Sequence, residues 1–247
     1  PPQMDDDPAA GPPLVCSDEV VDDIKAVVDH VQSSTGAERV GMVGWATGGH
    51  WAGMYASLQP DDVSHLVIYN SLYGQADGHE TLGRGSGNED PDLPGVFNRS
   101  AGAYRLSDGP SLLSSWDRTI PTEDPTTWRD SRVAEAYQRE ALASDPTSEQ
   151  RQPASFRAPN GAMEDSFYLA TGRQLWDASL IKANTMIIRS ELDFWSRPSD
   201  VTDLQRHLTR AAQVRTSELA QATHYAHLDR PERGRDQFIG ELLSFLQ

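Results

Sequence analysis

The apolar residues of this chain fall into two alternating patterns, helical spacing and short continuous runs. The first helix is predicted to begin after an N-cap at Ser17 and to end near Ser33, because apolar residues recur between them at intervals of three and four. The runs at 39–44 and 65–70 are too short for buried helices and indicate buried strands, with a second helix at about 50–58 between them. Helix, strand, helix and strand at this spacing predict a parallel sheet, and therefore an α/β fold.

A long middle region interrupts this alternation. It begins with a segment rich in Gly, Asp and Glu, continues with short helical candidates, and shows no convincing strand pattern. We therefore expect an inserted helical lid at 74–180 between two parts of one core, 1–73 and 181–247. The further predicted elements are helices near 111 and at 130–144 and 162–171 in the lid, then a strand at 184–189, a helix at 198–208, a weaker strand at 212–218 and a last helix at 231–246.

The sharpest local signal is the sequence GWATG at 44–48, which follows a buried strand and precedes a helix. A tight strand-turn-helix holds its central residue in a strained conformation and needs small residues nearby, which Gly44 and Gly48 supply. The turn places the central side chain at the top of the sheet and at a helix N-terminus, where developing negative charge is stabilised. Here the central residue is Ala46, whose methyl group offers no nucleophile.

This turn resembles the nucleophile elbow of the α/β-hydrolase family, G-x-S-x-G, with Ala46 where serine belongs. In that family an acid and then a histidine follow the nucleophile along the chain. Asp193, just past a strand end, matches the acid, with Glu191 as a nearby rival. The sequence HYAHLDRP at 224–231 resembles the family's H-F-x-x-L-E-x-P segment, which makes His224 the base and His227 a packing residue. The resemblance implies an α/β-hydrolase core, a mostly parallel sheet with helices on both faces.

The same resemblance implies acyl-transfer chemistry when serine stands at position 46. His224 would take the serine proton as general base, Asp193 would orient the imidazole, and the backbone N–H of Thr47 would donate to the oxyanion. No cofactor and no metal enter this mechanism, and the sequence has no Cys/His spacing typical of a metal site. Aromatic residues adjacent to these positions are the candidates for the substrate pocket: Trp45, Phe194, Trp195 and Tyr225.

Three interpretations of Ala46 stay open. The segment could be a Gly-rich turn without a catalytic role, the elbow of a natural pseudo-enzyme, or an elbow whose serine was replaced to trap a substrate, which is the interpretation we favour.

The leading hypothesis is a hydrolase of a small apolar or aromatic ester, lactone or amide, inactive through Ala46. The alternatives are a non-catalytic relative that binds a small molecule and a non-hydrolytic cyclase or lyase that uses His224. An aspartate nucleophile at this position fits the Trp-x-Thr-Gly-Gly context less well.

Composition and charge exclude several other classes. The formal net charge of −16 disfavours nucleic acid and anionic membranes as partners, so a small-molecule substrate is the expected partner. No apolar run approaches the roughly 18 residues of a membrane-spanning helix. Cys16 is the only cysteine, which excludes an intrachain disulfide and is typical of a cytoplasmic protein.

Compared with the fold of the family that it resembles, the predicted core is incomplete. The family fold usually has eight strands, and only its last four can be placed here; the polar, Pro-rich start at 1–16 is predicted to be the loop that precedes them. Without neighbours, the strand at 40–44 would be an exposed apolar edge. We therefore expect an N-terminal segment of the same fold, carrying the early strands and a second oxyanion N–H, to come from outside this chain. We also expect that the chain does not fold alone.

Overall fold

A computed structural model describes residues 7–247, which form a four-stranded parallel sheet, a two-stranded antiparallel sheet and seven α-helices. The strands are β1 (Val40–Trp45), β2 (Val63–Tyr69), β3 (Tyr104–Asp108), β4 (Ser155–Pro159), β5 (Asn184–Leu192) and β6 (Val214–Thr223). The α-helices are α1 (Ser17–Thr35), α2 (Thr47–Leu58), α3 (Gly109–Asp117), α4 (Ser131–Ala143), α5 (Gly161–Ala170), α6 (Pro198–His207) and α7 (Arg235–Phe245). The main sheet has the order β1-β2-β5-β6 with every pair parallel, which confirms the predicted α/β class. The predicted loop at 1–16 is a series of turns over residues 7–16, and its first six residues lie outside the described part.

The main sheet separates two apolar cores, because successive side chains of a strand point to opposite faces. In β2, Leu66 and Ile68 belong to the core that contains residues of α1, α2 and α6. Val67 and Tyr69 belong to the other core, which contains residues of α7. Helices therefore cover both faces of the sheet, as expected for parallel strands.

The start of α1 differs from the prediction. Cys16 rather than Ser17 is the N-cap, and the Glu19 side chain accepts from the backbone N–H groups that precede the helix. The Ser17 side chain instead points inward and hydrogen-bonds to two buried side chains. The helix continues to Thr35, two residues beyond the predicted end, and stops at Gly36, which has a left-handed backbone with φ 74°.

The inserted region contains a small sheet that the sequence pattern does not predict. β3 and β4 pair antiparallel over five residues each, too short a stretch to show a clear alternation of apolar and polar positions. Asp145 holds this sheet in place, since its carboxylate accepts from the guanidinium groups of Arg157 at 2.9 Å and Arg151 at 3.1 Å. The three predicted helices of the insert are present as α3, α4 and α5, so the expectation of an entirely helical lid is corrected to a mixed one.

Several other elements differ from the prediction at their ends, and β5 and β6 extend three and five residues beyond their predicted ends. Helix α2 begins at Thr47, directly after the turn and three residues earlier than predicted. The last predicted helix is divided into a 3-10 turn, Pro231–Arg233, and α7, with Gly234 between them at φ 110°. A side chain at Gly234 would also clash, because its Cβ would lie 2.4 Å from the Cβ of Ala222.

β1 is the edge of the main sheet within residues 7–247, with β2 as its single neighbour. Apolar side chains flank this edge on both faces. The groove between α1 and β1 includes Val27, which is 62% exposed, and Val31. On the opposite face Val43 is 51% exposed, and a Cβ at Gly41 would lie 3.8 Å from Leu246, itself partly exposed. This is the exposed apolar edge predicted for a core that lacks neighbouring strands.

The fold brings the predicted site residues to one edge of the sheet, because the carboxyl ends of parallel strands meet there. Ala46 follows β1, Asn70 follows β2, Asp193 follows β5 and His224 follows β6. The insert begins and ends at this part of the fold, between β2 and β5.

Candidate active site

Ala46 occupies a strained turn between β1 and α2. Its backbone has φ 52° and ψ −122°, a conformation that residues with side chains rarely adopt. The Ala46 N–H donates to the carbonyl oxygen of Tyr69 at 2.9 Å, and its own carbonyl oxygen accepts from the N–H of Gly49 at 3.0 Å. These bonds fix the turn against β2 and the first turn of α2, which is the geometry of an elbow.

The glycines around Ala46 are not equally necessary. A Cβ at Gly44 would lie 2.3 Å from the carbonyl oxygen of Gly48, so a side chain cannot be accommodated there. A Cβ at Gly48 would meet no atom within 4 Å, whereas one at Gly49 would lie 2.7 Å from the Cβ of Ser71. The prediction that Gly48 meets the steric need on the helix side is therefore wrong, and Gly49 meets it instead.

Asp193 and His224 form a buried pair, with 2.6 Å between Asp193 Oδ1 and His224 Nδ1. The backbone N–H groups of Trp195 at 3.0 Å and Ser196 at 2.8 Å, and the Ser196 hydroxyl, also donate to this carboxylate. Burial alone would raise the pKa of Asp193, but the hydrogen bonds from His224 and Ser196 outweigh it and hold that pKa below its ordinary value. An ionised carboxylate only accepts, so Nδ1 of His224 carries the proton. Nε2 has no hydrogen-bond partner within residues 7–247.

Glu191, the rival to Asp193, and His227, predicted to be a packing residue, both lie outside this pair. Glu191 is exposed, and its carboxylate accepts from the backbone N–H of Gln221 at 2.7 Å. The His227 ring lies between aromatic side chains, with centroids 4.6 Å from Trp45 and 5.9 Å from Tyr69. Burial lowers the pKa of His227 to about 4, so the ring is neutral near pH 7 and occupies a packing position.

The backbone of His224 is anchored by three donors from neighbouring strand ends. Its carbonyl oxygen accepts from Trp45 Nε1 at 3.0 Å, the Tyr69 hydroxyl at 3.2 Å and Asn70 Nδ2 at 3.1 Å. Asn70 also donates to the hydroxyl of Ser190 at 2.9 Å and accepts from its N–H at 2.7 Å. Neither Asn70 nor Ser190 is among the residues predicted from the sequence, and the position of Asn70 directly after a strand is the signal that could have found it.

The four aromatic residues predicted for the substrate pocket divide into two groups. The rings of Phe194 and Trp195 lie beside His224, with centroids 5.0 Å and 5.9 Å away, and both are partly exposed. The indole N–H of Trp45 donates to the carbonyl oxygen of His224. Tyr225 is 5% exposed and stacks on a tryptophan of the insert, with 5.4 Å between centroids. The Trp45 ring also lies 5.0 Å from His224 and is partly exposed, so Trp45, Phe194 and Trp195 stay as predicted pocket residues, and the buried Tyr225 supports the histidine loop.

The backbone N–H of Thr47, the predicted oxyanion donor, is free to bind a ligand. Thr47 is the first residue of α2, where an N–H has no intrahelical acceptor, and this group donates to no other atom of residues 7–247. The Thr47 hydroxyl lies 3.5 Å from Oγ of Ser166, a residue of α5 in the insert. The free N–H and the positive end of the helix dipole both favour negative charge at the elbow.

A second Ser–His–Asp set, which the sequence analysis did not detect, lies behind the first turn of α2. Ser17 Oγ is 2.7 Å from His50 Nε2 and 2.6 Å from Asp165 Oδ2. Trp176 Nε1 donates to His50 Nδ1 at 2.8 Å, so His50 Nε2 carries the proton and donates to Ser17. Burial lowers the pKa of His50 to about 3, so this ring cannot take the serine proton. The hydroxyl of Ser17 donates to Asp165, and the set is a structural network rather than a nucleophile with its base.

Cys16 has the properties of an unreactive thiol. Burial, followed by the charges of Asp165 and Glu164, raises its pKa to about 12, so the thiol is protonated near neutral pH. In residues 7–247, no cluster of three or more His, Cys, Asp or Glu side chains is arranged to hold a metal ion. Across the same residues, no helix is both long enough and apolar enough to cross a bilayer.

Comparison with known proteins adds evidence on the fold. No family model and no curated protein matches the sequence. Among solved structures, the thioesterase domain from the curacin biosynthetic pathway matches with 12% identity and a TM-score of 0.54, over 94% of this chain and 74% of that chain. A serine-to-alanine variant of the meta-cleavage product hydrolase from Pseudomonas fluorescens IP01, complexed with acetates, matches with 18% identity and a TM-score of 0.55, over 94% of this chain and 72% of that chain. The monoacylglycerol lipase of Paleococcus ferrophilus matches with 16% identity and a TM-score of 0.52, over 94% of this chain and 76% of that chain. Likeness at this identity concerns the fold, and together with the parallel sheet and its elbow it shows that the chain has the fold of the α/β-hydrolase family.

Proposed function

We propose that the site formed by Ala46, Asp193 and His224 is that of a serine hydrolase in which alanine replaces the nucleophilic serine. The observation that carries the proposal is the 2.6 Å hydrogen bond between Asp193 Oδ1 and His224 Nδ1, at the same sheet edge as a positive-φ elbow. A hydrogen-bonded acid and base beside a free helix N-terminus are the groups that acyl transfer requires.

With serine at position 46, each residue has a defined role. The serine hydroxyl attacks the carbonyl carbon while His224 Nε2 takes its proton, and His224 then gives this proton to the leaving group. Asp193 keeps the imidazole proton on Nδ1 and stabilises the imidazolium. The N–H of Thr47 stabilises the oxyanion, and water then releases the acyl group from the serine.

The substrate class that we propose is a small ester, lactone or amide with an apolar or aromatic part. Phe194 and Trp195 place apolar rings beside His224, and the buried Trp195 Nε1 has no hydrogen-bond partner in the described chain, so it can donate to a substrate oxygen. The net charge of −16 disfavours a strongly anionic substrate. A thioesterase domain and a lipase among the structural neighbours support chemistry at an acyl carbon.

Deliberate replacement of serine is the interpretation of Ala46 that we favour. The strained backbone with φ 52° and the buried acid–base pair are both retained, although alanine makes no use of either. One structural neighbour is itself a serine-to-alanine variant complexed with acetates. Removing a triad serine lowers turnover on the order of 10⁶-fold, and alanine has no hydroxyl with which to form an acyl-enzyme.

The variant Ala46→Ser, assayed with a panel of chromogenic esters, lactones and amides, tests the proposal. We expect hydrolysis with this variant alone. Ala46→Ser combined with His224→Gln is the matched control, because it keeps the new hydroxyl and removes the proposed base. Activity with Ala46 in place would favour a cyclase or lyase that uses His224. Binding without activity in every variant would favour a receptor, and both results contradict the proposal.

We further propose that a polypeptide segment from outside residues 7–247 completes the sheet at β1 and supplies the second oxyanion N–H. The exposure of Val27 and Val43 on opposite faces of this edge supports a covering strand with flanking structure. The chain covers 72–76% of the three structural neighbours described above, which leaves room for such a segment in the shared fold.

A further inference from the structure

Asp229 is a fully buried carboxylate that joins the histidine loop to the insert. Its Oδ1 accepts from Trp116 Nε1 at 2.8 Å, and its Oδ2 accepts from the backbone N–H of Thr223 at 2.9 Å. The Thr223 hydroxyl lies 3.0 Å from Oδ1 and 2.8 Å from Oδ2. Within residues 7–247, every hydrogen-bond partner of the Asp229 carboxylate is a donor, and a buried carboxylate is costly unless donors surround it. The carboxylate therefore requires both the loop and the insert to be in place.

The Asp229 contacts fix the residues on both sides of His224. Thr223, directly before it, is bound by Asp229 through its N–H and its hydroxyl. Tyr225, directly after it, donates its N–H to the Thr223 hydroxyl at 3.1 Å, and its carbonyl oxygen accepts from the N–H of Asp229 at 2.9 Å. The backbone that carries the His224 imidazole is thus closed into a small hydrogen-bonded unit with Asp229 at its centre.

Trp116 is the contribution of the insert to this unit. The side chain is fully buried in α3, and its ring stacks on Tyr225 with 5.4 Å between centroids and 23° between planes. The Tyr225 ring in turn lies edge-on to the His224 imidazole, with centroids 5.2 Å apart. Trp116 is therefore connected to His224 through two intermediates, the Asp229 carboxylate and the Tyr225 ring.

We propose that Asp229 is a positioning residue through which Trp116 of the insert holds the His224 imidazole in line with Asp193. The catalytic part of this inference rests on the proposed function, whereas the structural part does not. Docking of the insert then completes the acid–base pair rather than simply covering the site.

The structural part can be tested in the chain with Ala46, without any activity. The probe is the downfield NMR signal of the His224 Nδ1 proton, which is hydrogen-bonded to Asp193. Trp116→Phe keeps an aromatic ring against Tyr225 and removes the N–H that binds Asp229, together with part of the buried indole. Trp128→Phe is the matched control, because Trp128 is also a buried indole of the insert, and its N–H donates at 2.8 Å to the Gln221 carbonyl oxygen near the same loop.

We expect the His224 Nδ1 signal to shift or to exchange faster with solvent in Trp116→Phe and to stay unchanged in Trp128→Phe. If Trp116→Phe does not fold, Thr223→Val serves instead, because it removes the hydroxyl bonded to Asp229 at nearly constant volume. The same signal in parent and Trp116→Phe, or the same change in both tryptophan variants, would overturn the proposal.

The catalytic part is tested by adding the same substitutions to Ala46→Ser. We expect Trp116→Phe to lower kcat roughly ten- to a hundredfold with KM within about twofold, because it misplaces the base without removing a substrate contact. Trp128→Phe should leave both constants within about twofold. An equal loss in the two variants, or a loss confined to KM, would overturn the positioning role. If Ala46→Ser itself is inactive, the proposed function fails, and the NMR comparison still decides the role of Asp229.

Discussion

At the scale of single residues, the two glycines that follow the elbow, Gly48 and Gly49, differ in whether a methyl group would fit in place of the hydrogen atom. We expect Gly49→Ala to lower the free energy of unfolding by about 1–3 kcal/mol, since its Cβ would lie 2.7 Å from the Cβ of Ser71. Gly48→Ala, with no atom within 4 Å of its Cβ, should change the same quantity by no more than about 1 kcal/mol. Chemical denaturation of both variants measures the difference. Equal destabilisation would contradict the assignment of the steric role to Gly49.

Asp165 makes stability depend on pH. Burial raises its pKa from 3.8 to about 6, while His50 beside it, with a pKa of about 3, stays neutral over this range. The folded state holds the Asp165 proton more tightly than the unfolded chain does. This contribution to stability is therefore fully present below about pH 4 and is lost as the pH rises through about 6.

Asp165→Asn removes this titration. From pH 4 to pH 7, the free energy of unfolding of the variant should rise relative to that of the parent by about 2 kcal/mol. Denaturation at a series of pH values measures the difference. Parallel pH profiles for the two proteins would show that Asp165 is not the group responsible.

Ala46, Asp193 and His224 could be predicted, and the residues that hold them in place could not. Ala46, Asp193 and His224 stand in recognisable local sequences, each directly after an apolar run. Asn70 acts through Ser190, 120 residues further along the chain, so no local pattern reveals its partner. Asp229 acts through a tryptophan 113 residues before it, and the same limit applies.

At the scale of elements, β1 is the edge of the main sheet within residues 7–247 and has exposed apolar side chains beside it. We expect the chain to self-associate through this edge and Val43→Lys to weaken that association at least about tenfold, because burial of a valine contributes about 1.5–3 kcal/mol. Leu106→Lys is the matched control, since Leu106 is 53% exposed on β3, against 51% for Val43, and gains the same charge. Analytical ultracentrifugation measures the association. A monomeric parent, or equal effects of the two lysines, would contradict the role of the edge.

The elements of the main sheet were predictable because their apolar runs are buried between two layers of helices. Strands β3 and β4 were not, since five residues each carry too little pattern and their pairing depends on the contact of Asp145 with Arg157. The beginning of α1 was misplaced for a related reason. Ser17 is a good N-cap by type, but its hydroxyl is taken by His50 and Asp165, so the cap is one residue earlier.

At the scale of the whole molecule, the site is assembled from distant parts of the chain. β1, β5 and β6 place Ala46, Asp193 and His224 at one edge, and the insert contributes Trp116 to the loop that carries the histidine. The central claim is that this assembly is an acyl-transfer site that lacks one group, the nucleophilic hydroxyl.

Covalent labelling of an introduced serine tests that claim most directly. A fluorophosphonate reacts rapidly with a serine only where a base and an oxyanion donor activate it. We predict that Ala46→Ser takes up a single phosphonyl group, located at position 46 by peptide mass spectrometry, and that adding His224→Gln abolishes this uptake. Absence of the adduct in the folded Ala46→Ser protein, or equal labelling with and without His224, would contradict the account.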